Sequence, residues 1–594
     1  MTFSSFLQPH AIIHQTESDP NEEMLTSETL LSAEPFIARS KCTFSSPEEI
    51  RNAYDVARLI CRHYALSAQD ILHLTPKFWA FHLDTIHMES TSAMILLCIH
   101  YNLCIGTLAQ YHEAHPDLEL LLEELARFDI NGQFMLTEVG HGLDAANLET
   151  TVTLQTDGSF ELHSPSRQAA KYMPPAIPVA GMRRGAIVFA RLVARGEDRG
   201  VRPFWVMLND GNNMEQGVFT RVLPRRAGSQ GLDHAITMFE RKWLPPSALL
   251  GSLGKPANGR LHFLSIISRV AVGTLALSML NIPALKTSAY LAGAYSMRRA
   301  ITSADNKQTP IIQFRTQQRP ILHAFAQAAV YEASAKYCTE LFVASRQETV
   351  RHAVATAFKA AITSATQETL VQLSDRCGAQ GLFEHNGIIR SQLVMRGNSI
   401  AEGDVLVLSI RLLSELLLER YTVPPSQNPE SLISMYEKGL LEEARSIWKD
   451  APPGDSSHRG KHFNNNILPL ALPIVETIGF RLAYDAALVH NISPDLVAVF
   501  EAGVVLRGSS WFVEHLGMKR RKILAQEERA LSELLPRLDG LIEGSVAKRY
   551  STAPMLSDES WEQFVDLLPT FEPPLEESLM SGLEPLTMKI LARL

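Results

Sequence analysis

Strand-like alternation of apolar and polar residues is confined to one internal stretch of this chain, and that confinement limits what it can fold into. "ETTVTLQTDGSFELHS" (149–164) alternates, breaks at Asp157-Gly158 and alternates again, as two strands joined by a tight turn do. "GAIVFARLV" (185–193) and "VRPFWVML" (201–208) add strands divided by Gly, Asp and Arg turns. On either side the apolar spacing becomes three and four residues. "SPEEIRNAYDVARLICRHYAL" (46–66) has a serine cap, early acids and a helical stripe, and "HPDLELLLEELARF" (115–128) repeats the stripe. After "GSLGKPANG" (251–259), helical patterns cover 260–303, 311–345, 348–375 and 404–421. "PPSQNPE" (424–430) reads as a linker, and a last helical block fills 431–594 around a loop at 449–466. A β-rich middle between helical blocks excludes the strand–helix alternation of doubly wound α/β folds. No phosphate loop, dinucleotide fingerprint, G-x-S-x-G elbow or H-E-x-x-H helix accompanies it.

With 594 residues, 46% hydrophobic and 20% charged, the chain is composed like a soluble multi-domain protein. A net charge of −9 gives no general attraction to phosphate backbones, so nucleic acid is not an expected partner. The six cysteines form no C-x-x-C pair and no disulfide framework. Cys98, His100 and Cys104 are close in sequence, but no second ligand pair has zinc spacing, so helix packing is the expected role and no metal is assigned. The first residues have no basic segment followed by an apolar core, as a signal peptide would. The longest apolar run, 270–285, holds Asn281 and Pro283 and reads as too short to span a bilayer. The chain ends Ala592, Arg593, Leu594. Small–basic–Leu fits the peroxisomal import address, so an import receptor is an expected partner and the peroxisome the expected location.

Two stretches carry the chemistry. "TEVGHG" (137–142) offers a hydroxyl, a carboxylate and glycine-flanked backbone N–H groups, suited to a polar ring edge or an anion, or else only to connecting domains. "SIAEGDVLVLS" (399–409) places Glu402 before a glycine and an apolar run. Such a carboxylate is either a helix-start charge favoured by the macrodipole or a base whose strength burial raises.

The first stretch resembles the flavin-contacting loop of the acyl-CoA oxidases, in the acyl-CoA dehydrogenase superfamily, where Thr-Glu-Met-Gly-His-Gly is followed by Leu-Glu-Thr-Thr; here "LETT" spans 148–151. "HSPSRQAAKYMPP" (163–175), "GSQGLDHAITMFERKWLPPSALLG" (228–251), "YSMRRAI" (295–301), "FRTQQRPIL" (314–322), "CGAQG" (377–381) and "EGDV" (402–405) resemble further family segments, in order. The resemblance implies an α+β multi-domain fold: a flexible N-terminus (1–35), an N-terminal α-helical domain (36–130), a middle β-barrel-like domain (131–255), and C-terminal helical bundles at 256–423 and 424–594. It implies FAD as cofactor, an acyl-CoA or other acyl thioester as substrate, O2 as electron acceptor with H2O2 formed, and a homodimer. Glu402 would be the catalytic base, Thr137 and Gly140 would meet the flavin ring, and Arg298, Gln318, Gly378, Gly381 and Asp404 would help hold the cofactor. The sequence departs from the pattern at Tyr172 and Met173, where the family has tryptophans, at Pro175 and Ala176, at Ala300 and Ile301, and at Val405 and Leu406, where it has Asn and Thr. These departures keep two other readings open: a diverged homologue of specialised metabolism with altered or lost flavin chemistry, and a non-catalytic partner subunit.

Overall fold

The computed structural model describes residues 43–302 and 304–571. The tail Ala592–Arg593–Leu594 lies outside them. The described residues from Ser45 onward belong to one compact unit.

Helix α1 (Pro47–Tyr64) begins as its sequence requires. Ser46 and Glu49 close a reciprocal capping box, the Glu49 N–H donating to Ser46 Oγ at 3.2 Å and the Ser46 N–H to Glu49 Oε2 at 2.8 Å, with Pro47 in the first turn. Helix α2 (Thr91–Cys98) runs directly into a π-helical segment, Ile99–Ile105, and α3 (Leu118–Ala126) closes the first helical layer.

Strands β1 (Ile130–Met135), β2 (Thr151–Leu154), β3 (Phe160–His163), β5 (Arg183–Ala194), β6 (Glu197–Asn209) and β9 (Lys242–Leu244) form one sheet. Strands β4 (Lys171–Pro175), β7 (Val218–Val222) and β8 (His234–Phe239) form a second, ordered β4-β8-β7. Asp157-Gly158 lies in the β2–β3 turn, as its dipeptide signals. Strand β5 is the seam of the molecule. One end pairs with β1 and the other with β2, both parallel, while β6 runs antiparallel along its other edge. Its side chains alternate between two cores: Ala186, Val188, Ala190 and Leu192 face the apolar cluster of the β layer, and Ile187 and Phe189 face the helical core. Burial on both faces explains why 185–193 reads as a continuous apolar run.

The helical part follows as α4 (Arg269–Met279), α5 (Asn281–Arg298), a short hairpin of β10 (Ala300–Thr302) and β11 (Gln308–Pro310), α6 (Arg315–Ala344), α7 (Glu348–Arg376), α8 (Ile388–Ile400) and α9 (Val405–Leu417). Pro320 within α6 has no N–H for the Thr316 carbonyl; Arg376 Nη1 donates to that carbonyl instead, at 3.2 Å. Helix α7 is central, packing against α4, α5, α6, α8 and α9 and against α11 (Ala471–Val489), which follows α10 (Leu432–Lys449). Its Ala and Thr residues are buried around most of its circumference, and small side chains permit such close approach by several neighbours. The 424–430 linker is pinned to α11: Arg481 donates to the Pro424 carbonyl at 2.8 Å, and Asp485 accepts from Asn428 Nδ2 at 3.0 Å. Among the described residues α12 (Pro494–Arg507), α13 (Arg520–Leu534) and α14 (Asp558–Asp566) follow. The loop expected at 449–466 contains a short helix, Lys461–Asn466.

The expectation for the apolar run at 270–285 needs correction. It belongs to a helical stretch, Arg269–Arg298, which by length and composition is one of three described stretches able to cross a membrane, with Thr91–Ala109 and Lys461–Val489. Their apolar windows are 83%, 89% and 67% buried within the fold. The apolar surface therefore serves the core, in contacts that a lone run of sequence does not reveal.

Candidate active site

Glu402 lies in the turn between α8 and α9, with its backbone in the left-handed region at φ 52°, followed by Gly403 at φ 101°. A non-glycine residue there carries about 1–2 kcal/mol of strain, and side chains from two other helices hold it in place. Lys359 of α7 donates from Nζ to the carbonyls on both sides of Glu402, Ala401 at 2.7 Å and Gly403 at 2.6 Å. Thr274 of α4 donates its hydroxyl to the Glu402 carbonyl at 2.8 Å. Three successive carbonyls are thus tied to the bundle.

The turn aims the carboxylate inward. Asn102, in the middle of the π-helical segment, donates Nδ2 to Glu402 Oε2 at 2.9 Å and to the Arg269 carbonyl at 3.1 Å. Arg269 returns a bond from Nε to the Asn102 carbonyl at 3.0 Å. Gly273 faces the carboxylate and leaves the space it occupies. Burial pushes the Glu402 carboxyl up to about 8, against the pull of Lys359, Asn102 and Arg269. The same burial depresses Lys359 to about 8 and Arg269 to about 10. A carboxylate so desolvated is a stronger base than an exposed one, matched to proton abstraction near neutral pH.

The other expected site residues divide. Asp404 caps α9, accepting from the Leu406 and Val407 N–H groups at 3.0 and 3.1 Å. Thr137 is half-buried, and its backbone carbonyl accepts from the Tyr172 N–H at 3.0 Å. The "TEVGHG" turn is not the open set of N–H donors that its sequence suggests. The N–H groups of Val139, Gly140 and His141 donate to the carbonyls of Ala170, Gln168 and Glu138. A Cβ on Gly140 would stand 3.0 Å from Gln168 Cβ, so that glycine serves packing within the chain. Glu138 is structural. Fully buried, it receives Lys171 Nζ at 2.9 Å and the Glu149 and Thr150 N–H groups at 2.7 and 3.0 Å, joining the turn to "LETT".

Arg298 donates from Nε to Asp558 of α14 at 3.0 Å and from Nη1 to the Met555 carbonyl at 3.0 Å. Gln318 is buried on α6, next to Gln317, which donates to Ser296 Oγ at 3.2 Å and to the Arg376 carbonyl at 3.0 Å. Gly378 has φ 56° with open space beside it. Gly381 lies against α7, where a Cβ would stand 2.0 Å from the Ser374 carbonyl oxygen. His100 uses both ring nitrogens on backbone, at 2.9 Å to the Leu125 carbonyl and 2.9 Å to the Gly132 N–H, so it packs as expected. No group of metal-ligating side chains that could hold an ion occurs among the described residues.

Sequence reasoning missed a cavity of about 520 Å³ between the β5–β6 region and the helix Gly259–Ile266, just ahead of α4. Arg191, Arg202, Arg260 and His262 line it with Val201, Phe263 and Leu264. Arg202 is 1% exposed and donates to carbonyls alone, at Val201, Ser252 and Gly254. Carbonyls satisfy its N–H groups without neutralising its charge, and burial lowers its pKa. The chemistry suits an anionic group attached to an apolar body.

Comparison with known proteins bears on the fold. The fold is that of the acyl-CoA oxidases. The crystal structure of acyl-CoA oxidase 1 from Yarrowia lipolytica superposes with a TM-score of 0.70 at 17% identity, over 93% of this chain and 96% of that one. Acyl-CoA oxidase-1 of Caenorhabditis elegans, complexed with FAD and ATP, gives 0.64 at 18% identity, over 81% and 82%. Residues 274–417 match the family model "Acyl-CoA oxidase, C-alpha1 domain". Human peroxisomal acyl-coenzyme A oxidase 3 is 26% identical over 539 residues, 84% of this chain and 69% of that protein. Arabidopsis thaliana peroxisomal acyl-coenzyme A oxidase 1 is 26% identical over 310 residues, 48% of this chain. The match spans 46% of that relative, less than half its length. The matched domain and the relatives at about a quarter identity make this chain similar to the acyl-CoA oxidases.

Proposed function

We propose that this protein is an FAD-dependent acyl-CoA oxidase-like enzyme that introduces an α,β double bond into an acyl thioester, with O2 reduced to H2O2. The observation that carries the reading is Glu402: an enclosed carboxylate on a turn whose three carbonyls are tied down, with its pKa raised to about 8 by burial. Glu402 takes the proton from the carbon next to the thioester carbonyl. Gly273 leaves room for the carboxylate, Asn102 holds its Oε2 atom, and Lys359 fixes the turn that carries it. The cavity lined by Arg191, Arg202, Arg260 and His262 receives the anionic carrier, one helix away from Arg269.

The residues present fit FAD at its ring end. The Thr137 side chain is half-buried and has no hydrogen bond among the described residues, so its hydroxyl is available to the ring edge. Gly142 has open space beside it, and so does Gly378, which the resemblance assigns to the cofactor's phosphates or adenosine. When bound, FAD supplies the acceptor for the β-hydrogen and its two electrons, and passes the electrons to O2. A peroxisomal location and a homodimer accord with the names of the relatives and with the resemblance, respectively.

The second reading, altered or lost flavin chemistry, has its own observations. The Val139, Gly140 and His141 N–H groups are engaged within the chain, Pro175 has no N–H, and Arg298 is held by Asp558. An absorbance spectrum of the purified protein, with and without added FAD and a panel of acyl-CoAs, decides between them. Flavin bands that bleach with an acyl-CoA and recover in air with peroxide formed are expected. A colourless protein that takes up no FAD sinks the first reading and leaves the second.

A further inference from the structure

Two buried polar side chains reach the Glu402 turn from other helical segments. Asn102 is 1% exposed, between Tyr101 and Leu103, and comes from a π-helical segment. Wide turns of this kind are uncommon and recur at functional sites. Its amide is fixed in one orientation, because Nδ2 lies between two acceptors, Glu402 Oε2 and the Arg269 carbonyl. Lys359 is fully buried on α7, among alanines and Phe358, and its ammonium bonds only backbone carbonyls on either side of Glu402. A buried cation and a buried donor both converge on one carboxylate, and both favour its charged form.

We propose that Asn102 and Lys359 are the positioning residues of Glu402: Lys359 fixes the left-handed turn that aims the carboxylate, Asn102 holds its Oε2 atom, and together they favour the ionised, proton-accepting form against burial. This rests on the reading of Glu402 as the base. The other groups facing Glu402 do not replace them. Arg269 of α4 bonds Asn102 and lies beyond ion-pair distance of Glu402. Cys98 of α2 has its thiol pushed up strongly by burial, so it carries no charge in the working range. Asp404, on the same turn, bonds the α9 N–H groups and sits within the field of Lys359.

The test is a titration that needs no catalysis. Infrared difference spectra of the full chain, with Glu402→Gln as the blank, follow the protonated carboxyl of Glu402 across pH. The wild-type band is expected to vanish with a midpoint near 8. Asn102→Leu and Lys359→Met are each expected to raise the midpoint by about 1 unit, the scale of one lost bond to a charged group. Lys359→Arg, which keeps the charge, is expected to stay near wild type. Solvent-deuterium exchange at the α-carbon of an acyl-CoA should shift its pH profile in parallel. Unchanged midpoints in variants that melt like wild type overturn the proposal. If Lys359→Met does not fold, Asn102→Leu decides alone. Shifted midpoints with no exchange in wild type retain the positioning role and sink the proposed function instead.

Discussion

The Glu402 carboxylate occupies the place where a side chain on Gly273 would stand: a Cβ there would lie 1.1 Å from Glu402 Oε2 and 2.7 Å from Asn102 Nδ2. Gly273 is thus required by space alone, since its helical backbone suits any residue. Gly273→Ala is expected to expel the carboxylate from its bond with Asn102. Overpacking of this kind costs about 1–3 kcal/mol, and misplacing a reacting group by about 1 Å costs on the order of 100-fold in rate. Thermal unfolding with α-hydrogen exchange on an acyl-CoA measures both. Wild-type exchange in a folded Gly273→Ala protein would remove Glu402 from the reaction.

Burial of Glu402 also makes stability depend on pH, with a definite sign. The carboxyl rises from an ordinary 4.5 to about 8 on folding, so the folded protein holds this proton more tightly than the unfolded chain. Its contribution to stability is full below about 4.5 and is lost as the pH climbs through about 8. Lys359 acts oppositely, because its folded value of about 8 lies below the ordinary 10.5, and stability from this group recovers between them. Glu402→Gln removes the first effect. Its melting temperature is expected to equal that of wild type near pH 4.5 and to exceed it increasingly towards pH 8, while turnover is lost at every pH. A constant difference across that range would mean that Glu402 does not titrate in the fold.

The layer order was legible because each layer has its own local period: capped helical stripes, a hairpin with Asp-Gly at its turn, then long helices. Glu402 was singled out by the family resemblance, from its place after "CGAQG", and the structure encloses its carboxyl at a turn. Its supports were not legible, because nothing local announces them. Asn102 meets Glu402 across 300 residues of chain. Lys359 did leave a trace, as a single cation in the Ala- and Thr-rich run "AVATAFKAAITSAT" (353–366); a lone charge amid apolar residues needs a buried partner. The "TEVGHG" turn misled for the opposite reason. Its glycines suggest free N–H groups, but Gln168 and Ala170 supply the acceptors from a later strand approach.

Lys171 and Glu138 form a buried ion pair that holds the turn following Thr137. Burial pushes the Glu138 carboxyl up, and Lys171 with the Thr150 and Glu149 amides more than reverses it. Lys171→Met leaves that carboxylate unpaired and is expected to cost about 3–5 kcal/mol. Adding Glu138→Gln should recover much of the loss, because no buried charge then remains. Denaturant unfolding of the two single variants and the double variant gives the coupling. Additive losses would place the pair outside one network.

Arg298 offers the sharpest test of the cofactor reading, because an acid of this chain already occupies it. Asp558 is 86% exposed, so its ion pair with Arg298 contributes roughly 0–1 kcal/mol. Removing it frees a guanidinium still anchored to the Met555 carbonyl. If Arg298 helps hold the FAD phosphates, Asp558→Asn should leave the melting temperature nearly unchanged and tighten FAD retention on dilution. Arg298→Leu should weaken retention in either background, because the contact itself is gone. Flavin released on gel filtration, measured by absorbance, reads all of these variants. If Arg298→Leu keeps its flavin as wild type does, Arg298 is only the anchor of α14, and the cofactor contacts must be sought near Thr137 and Gly378 instead.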